Sequence, residues 1–295
     1  MRNRNKIYVL TENLNFFYKI NKELNRFNIP FKILNITKKI PPSPSIILTT
    51  AEDVKNLKKH HENVNFLSYV KNENFEEYFL KVISAYRVGY KDHYSEMTFA
   101  IDPGNKCGLI VFLDDYYLNS HCCFEKQDLL NKIKTYVKYF QKDNPHILKL
   151  TLKFGNGVLP VTQDLVQQIY QLFNESKNMT ILLIDEFKSS KIKIKHRIKD
   201  KKISKDEASA LILAFRDGIE INQDNYSAIF NQIKSRKLKR EEYKKENFEN
   251  INEIKKFSEE IAEIAEEVLD GNLTLTNSSE MIKKIKTNKN EILKP

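Results

Sequence analysis

Apolar positions along the first part of the chain follow two alternating periods. Lys6–Thr11, Phe31–Ile36, Ser45–Leu48 and Val64–Val70 are short, apolar and rich in β-forming residues, and are predicted strands. Asn13–Arg26 carries Phe16, Phe17, Ile20 and Leu24 at helical spacing, Phe75–Tyr86 carries Phe79, Val82 and Ile83, and Ala51–His60 also reads as a helix. This alternation predicts a small α/β domain with a parallel sheet over residues 1–90. It holds no phosphate loop and no dinucleotide fingerprint. Docking, substrate positioning and plain scaffolding are the roles open to it.

After a polar connector at Arg87–Glu96 the pattern changes. Met97–Asp102, Cys107–Leu113 and Tyr116–Phe124 are three strands in close succession, separated by the turn sequences Pro103-Gly104-Asn105-Lys106 and Asp114-Asp115, and predict an antiparallel meander. Gln127–Phe140 is a helix with Leu130, Ile133, Val137 and Phe140 inward. Leu148–Phe154 is a strand running into Gly155-Asn156-Gly157, a helix starts near Thr162 and includes Leu165–Phe173, and Thr180–Glu186 is a strand apolar on both faces. Ser204–Asp217 is a helix closed by Gly218. The order is β-β-β-α-β-α-β-α: a mixed sheet of three antiparallel and two parallel strands, with helices on both faces, over residues 97–222. From Tyr226 the chain is helical and charged. Phe248, Ile251, Ile254, Phe257, Ile261, Ile264 and Val268 recur every three or four residues, heptad-like from Ile254. That seam either packs on the chain's own core or makes residues 226–295 a dimerisation region. Gly271 ends the helix, and Asn277–Glu280 is a capping start for a last short one.

The length, 295 residues, favours two domains over one. No apolar run approaches the ~18 residues a membrane span needs, and the basic start is followed only by the short apolar stretch Ile7–Leu10. A cytoplasmic chain without a membrane partner is expected. Cys107, Cys122 and Cys123 are not at zinc-site spacing and read as reduced, buried thiols. A net charge of +10 points toward a polyanionic partner, although a Lys- and Asn-rich coding bias would produce the same excess.

Candidate chemistry lies in the carboxylates that end these elements. Asp102 closes the apolar strand Thr98–Ile101, with Ala100 on its face, and an acid there is costly to bury unless a cation pairs with it. Gly104 and Gly108 would let a substrate backbone approach. Asp185 and Glu186 end the next parallel strand and point to opposite faces, so one of them joins Asp102; periodicity does not say which. Asp206 and Glu207 open a helix in which Ser204 and Glu207 form a capping box. Asp206, Ser209, Ala210 and Leu213 share a face small enough to lie close on a sheet. Converging carboxylates are what Mg²⁺ or Mn²⁺, as two ions roughly 4 Å apart, requires to activate water against a phosphodiester. Between the second and third acids lie Lys188, Lys191, Lys193, Lys195, Arg197, Lys199, Lys201 and Lys202, suited to holding phosphates without sequence readout. Lys191, Lys193 and Lys195 alternate with Ile192 and Ile194, which suggests a basic β-ribbon. A second basic stretch runs from Lys234 to Arg240, and His196 lies in the first.

These residues resemble a family. Ile101-Asp102-Pro103-Gly104 with Gly108 resembles the first strand of RuvC-type Holliday junction resolvases and their YqgF-like relatives. Asp185-Glu186 resembles the Asp-Glu-Arg element of the YqgF branch. Asp206-Glu207-Ala208-Ser209-Ala210-Leu211-Ile212-Leu213-Ala214 is similar to the Asp-x-x-(Ala/Ser)-Ala-Leu-x-(Ile/Leu)-Ala helix of both groups. The resemblance covers residues 98–217. It implies a ribonuclease H-like fold, divalent-metal hydrolysis of phosphodiesters in branched DNA, often by a homodimer, and the catalytic metal ligands Asp102, Glu186 and Asp206, which would leave Asp185 pointing elsewhere. From the residues alone, Asp185 and Glu207 stand as further candidate ligands. Resolvases of the RuvC type carry an acid on the fourth strand, and here that strand, Leu150-Thr151-Leu152-Lys153-Phe154-Gly155, has none. This fits the YqgF arrangement, in which a glycine turn follows. Phe187 stands where the Asp-Glu-Arg element has its Arg, so a phosphate-contacting cation must come from elsewhere. The expected activity is a metal-dependent endonuclease on branched DNA. An RNA-processing nuclease and a non-catalytic nucleic-acid-binding protein are the alternatives. An actin-like ATP-binding fold is disfavoured by the lack of a second glycine-rich motif.

Overall fold

Asparagine side chains start two of the first three helices. In a computed structural model, which describes residues 6–35, 45–57, 65–142, 144–173, 178–186, 194, 197–198, 201–243 and 251–292, Asn13 accepts from the Phe16 amide at 3.0 Å and Asn74 from the Glu76 amide at 2.8 Å. The elements in this part are β1 (Lys6–Val9), α1 (Leu14–Arg26), β2 (Phe31–Ile33), β3 (Ser45–Thr50), α2 (Ala51–Leu57), β4 (Asn65–Tyr69) and α3 (Phe75–Arg87). The four strands form an all-parallel sheet in the order β2-β1-β3-β4. The central β3 is buried along its whole length, as a strand covered on both faces must be. Phe16, Ile20 and Leu24 bury one stripe of α1, with Phe16 stacked on Tyr69 and edge-on to Tyr78. The predicted ends of β2, α2 and β4 that fall on residues 36, 58–60 and 64 lie outside the described residues.

The second sheet is mixed. Its elements are β5 (Glu96–Asp102), β6 (Cys107–Leu113), β7 (Tyr116–Cys123), α4 (Lys126–Lys142), β8 (Lys149–Gly155), α5 (Leu159–Leu172) and β9 (Met179–Ile184). There follow β10 (Arg197–Ile198), β11 (Lys201–Lys202), α6 (Lys205–Ala214), β12 (Ile219–Ile221), α7 (Tyr226–Tyr243), α8 (Ile251–Leu269) and α9 (Leu275–Ile292). Six strands run in the order β12-β9-β8-β5-β6-β7. The pairs β5–β8 and β8–β9 are parallel, and β5–β6, β6–β7 and β9–β12 antiparallel. β12 was not foreseen: three residues with two exposed are too short for a period, and only pairing with β9 makes them a strand. α5 starts at Leu159, before the expected Thr162. Thr162 sits buried inside its first turn, and its hydroxyl donates to the Gly155 carbonyl at 2.8 Å.

By backbone contact the chain divides into Met1–Asp92 with Arg197–Lys202, and His93–His196 with Ile203–Pro295. The C-terminal helices therefore belong to the second unit and do not form a separate tail. Their apolar seam explains this. Ile261, Ile264, Ala265 and Val268 of α8, with Leu275 and Ile282 of α9, share one buried cluster with Ala100, Ile110, Phe112 and Tyr117 of the sheet and Ala208, Leu211 and Ile212 of α6. The described part of the seam is consumed by the chain's own core and is not an exposed dimerisation face; Phe248, Ile251 and Ile254 have no described side chains. α9 is a further correction, since it is long and begins at Leu275 where Asn277 was expected. The Thr274 hydroxyl caps the Asn277 amide at 3.2 Å, and Asp115, at φ 72° in the β6–β7 turn, accepts from the Thr276 amide at 3.0 Å. Gly271 ends α8 at φ 68°. Among the described residues no helix is long and apolar enough to cross a membrane.

Candidate functional site

Strand register decides which acids share a face of the sheet. Asp102 pairs with Gly108, and Ala100 with Ile110 and Lys153, so Ala100 and Asp102 share a face with Lys153 and, two residues on, Gly155. Gly155 pairs with Ile184. Two residues beyond Ile184 comes Glu186, which therefore falls on the Asp102 face, while Asp185 falls on the other and is exposed. Periodicity within β9 left that choice open; its pairing with β8 makes it.

Two glycines seat Glu186. A Cβ on Gly155 would lie 2.1 Å from Glu186 Oε1, and one on Gly157 would lie 1.9 Å from Oε2. The carboxylate thus fills the room that the Gly155-Asn156-Gly157 turn leaves open, and the Gly157 amide donates to Oε1 at 2.6 Å. A third glycine seats Asp206. A Cβ on Gly108 would lie 2.0 Å from the Asp206 carbonyl oxygen, so only glycine lets the first turn of α6 descend onto β6. The opening at Gly108 therefore receives helix backbone, which corrects the expectation that it admits substrate. At Gly104 a Cβ would meet the Lys106 carbonyl oxygen, at 3.2 Å.

The small-residue face of α6 does what its sequence suggested: Ser209 and Ala210 are buried against the sheet, and the Ser209 hydroxyl bonds to the Asp102 carboxyl. The Cys122 thiol on β7 lies 3.7 Å from Asp206 Oδ2. Burial, and then the neighbouring Glu186 and Asp206 carboxylates, push the Asp102 carboxyl up to about 7, with the Ser209 hydrogen bond and the Lys205 charge acting the other way. Three acids from three separate elements are thus electrostatically coupled on one sheet face.

Glu207 does not join them. It completes the capping box: the Ser204 hydroxyl accepts from the Glu207 amide, and Glu207 Oε2 accepts from the Ser204 amide at 3.0 Å. Its Oε1 accepts from the Ser120 hydroxyl at 2.8 Å. With one oxygen engaged at the helix start and the other by Ser120 of β7, it is corrected from a further ligand to a structural cap. Asp185 is likewise turned away. Its carbonyl accepts from the Arg216 guanidinium at 2.5 Å, and its charge and that of Glu186 act on Arg216, whose pKa burial lowers.

Arg216 and Lys153 were missed in the sequence. Lys153 donates to the carbonyls of Ala214 and Arg216 at 2.5 and 3.0 Å and so closes the C-terminus of α6. Burial brings its ammonium down to about 8. The only signal was indirect, a lysine between the apolar Leu152 and Phe154. Of the expected phosphate-binding residues, Arg197, Lys201 and Lys202 lie on a two-stranded ribbon with Arg197 opposite Lys202. Lys188, Lys191, Lys193, Lys195, His196 and Lys199 lie outside the described residues, as does all but Ile194 of the ribbon expected at 191–195. Among the described residues no three His, Cys, Asp or Glu side chains stand close enough together to hold one ion.

No protein-family model matches the chain, and no curated protein does. Among solved structures, a chain of "Crystal structure of Aa-Ago with externally-bound siRNA" matches at 11% identity and a TM-score of 0.21, over 61% of this chain. This chain spans 35% of the length of that one, and a superposition so loose does not define a shared fold.

Proposed function

We propose that the second unit is a divalent-metal-dependent nuclease core of the ribonuclease H-like type, hydrolysing phosphodiesters in branched or structured DNA. One observation carries the reading. Asp102, Glu186 and Asp206 come from three elements far apart in sequence, yet Glu186 and Asp206 both act on Asp102, and they add to the larger effect of burial in pushing its carboxyl up to about 7. Carboxylates gathered at such cost are relieved by a cation.

The donors are hard oxygens, which suit Mg²⁺ or Mn²⁺. Asp102, Glu186 and Asp206 are the residues that would hold the metal, and because they do not stand within reach of one ion here they would have to draw closer to do so. Ions of this kind would supply an activated water and neutralise charge on the leaving oxygen. The chain's own groups prepare the place. Gly157 fixes one Glu186 oxygen, Ser209 orients Asp102, and the capping box keeps Glu207 out of competition. A net charge of +10 and the basic residues between Glu186 and Asp206 favour a polyanionic substrate. A second reading, an RNA-processing nuclease of the YqgF type, is favoured by the glycine turn that replaces a fourth-strand acid. We place the protein in the cytoplasm.

The test is cleavage of four-way-junction DNA, duplex DNA and structured RNA in Mg²⁺ or Mn²⁺. Asp102→Asn, Glu186→Gln and Asp206→Asn should each lose at least 100-fold in rate, in keeping with the several kcal/mol that metal-held charge contributes. Tight binding without cleavage by wild type would replace the nuclease with a binding module.

A further inference from the structure

We propose that Phe124 and Lys106 form a stacking platform for an unpaired nucleobase beside the carboxylates. The location rests on the nuclease reading. Phe124 follows β7 directly and is 69% exposed, while Phe99, Phe112 and Tyr117 of the same sheet are buried. A lone exposed apolar side chain is ordinary. Three further observations make this one a site.

The first is its partner. Lys106, in the turn between β5 and β6, holds its ammonium 4.6 Å from the centroid of the Phe124 ring. A cation over an exposed ring pairs the two groups that contact a nucleotide: the ring meets the base with the face opposite the ammonium, and the ammonium meets the phosphate. The second is position. Cys123 pairs with Cys107, Cys122 with Gly108, and Gly108 with Asp102. Phe124 therefore stands at the sheet end that carries Asp102, two strands across and two residues on. At ~4.8 Å per strand and ~3.3 Å per residue this is roughly 12 Å between backbones, a span of a few nucleotides. The third is charge, since the chain carries +10.

A phenyl ring has no hydrogen-bonding edge, so it takes any base by its face. A base inside a duplex has both faces covered. The platform therefore selects a strand already unstacked near the reacting phosphate, as at a branch, a loop or a single-stranded end.

The chain contains no tryptophan, so Phe124→Trp places one fluorophore at the platform. In chelator, the full-length variant is titrated with a single-stranded DNA oligonucleotide, RNA of the same sequence and a blunt duplex of the same length. Quenching by either single strand, with the duplex silent at the same concentration, supports the platform, and the stronger quencher identifies the strand chemistry. In parallel, Phe124→Leu should bind single strands about tenfold more weakly than wild type, the loss expected for one stacked base, while Phe124→Trp binds like wild type. An unquenched tryptophan, equal quenching by the blunt duplex, or Phe124→Leu binding as tightly as wild type overturns it. Cleavage in Mg²⁺ is scored separately. Quenching without cleavage by wild type leaves the platform and removes the nuclease; cleavage with no quenching removes the platform alone.

Discussion

A carboxyl pushed to about 7 is a statement about stability as well as chemistry. Asp102 in the metal-free fold holds its proton far more tightly than an unfolded aspartic acid, whose pKa is near 3.8. The native state then binds more protons than the unfolded one between those values, so Asp102 makes the protein less stable as pH climbs from about 4 to about 7, with no further change above. Discounted for partial exposure, the loss is on the order of 2 kcal/mol. Asp102→Asn should therefore melt higher than wild type in chelator at pH 8 and match it near pH 4. Divalent ion should raise the wild-type melting temperature and leave the variant unmoved. Gly157→Ala probes the neighbouring acid. Its methyl would displace a side-chain carboxylate and not backbone, so stability should change by about 0.5 kcal/mol or less. Cleavage should still fall roughly 100-fold, the penalty of a misplaced group. A variant that melts like wild type and cleaves like it would remove Glu186 from the site.

At the level of elements, α6 is fastened at both ends, by Gly108 beneath Asp206 and by Lys153 beneath its last carbonyls. Gly108→Ala sets a methyl 2.0 Å from a backbone oxygen that cannot rotate away. We expect about 3 kcal/mol of destabilisation in a urea melt, together with loss of cleavage even where the protein remains folded. Most elements were legible because local chemistry and period agree, as at the Ser204 capping box and the apolar β9. The same was true of Asp102 and Asp206, which sit at the ends of well-marked elements. What was not legible depends on residues far apart in sequence. Glu186 was chosen over Asp185 by pairing with β8, β12 exists only through β9, and Arg216 and Lys153 act on groups tens of residues away. None of these leaves a periodic trace.

For the second unit as a whole, the helical C-terminus is part of the core that carries the site. Val268 is fully buried in the cluster that contains Ala208, Leu211 and Ile212 of the Asp206 helix. Val268→Asp places an unpaired charge there and should cost about 4 kcal/mol in chemical denaturation. The stabilisation by divalent ion should disappear along with it, because the Asp206 helix loses its outer support. If the seam instead served association between copies, the same change would alter particle size in solution and leave the unfolding midpoint of dilute protein unchanged.

The Gly155-Asn156-Gly157 turn carries one more consequence. The fourth strand has exchanged the role of donor for that of receptacle: where an acid could have projected, bare backbone admits the acid of its neighbour. Grafting an aspartate onto Gly155 to copy an enzyme with a fourth-strand ligand would therefore not enrich the site. Its Cβ would claim the volume in which Glu186 Oε1 already rests, and the newcomer would evict the resident. The two arrangements are mutually exclusive solutions to one problem of space, and a chain can move between them only by changing both strands together.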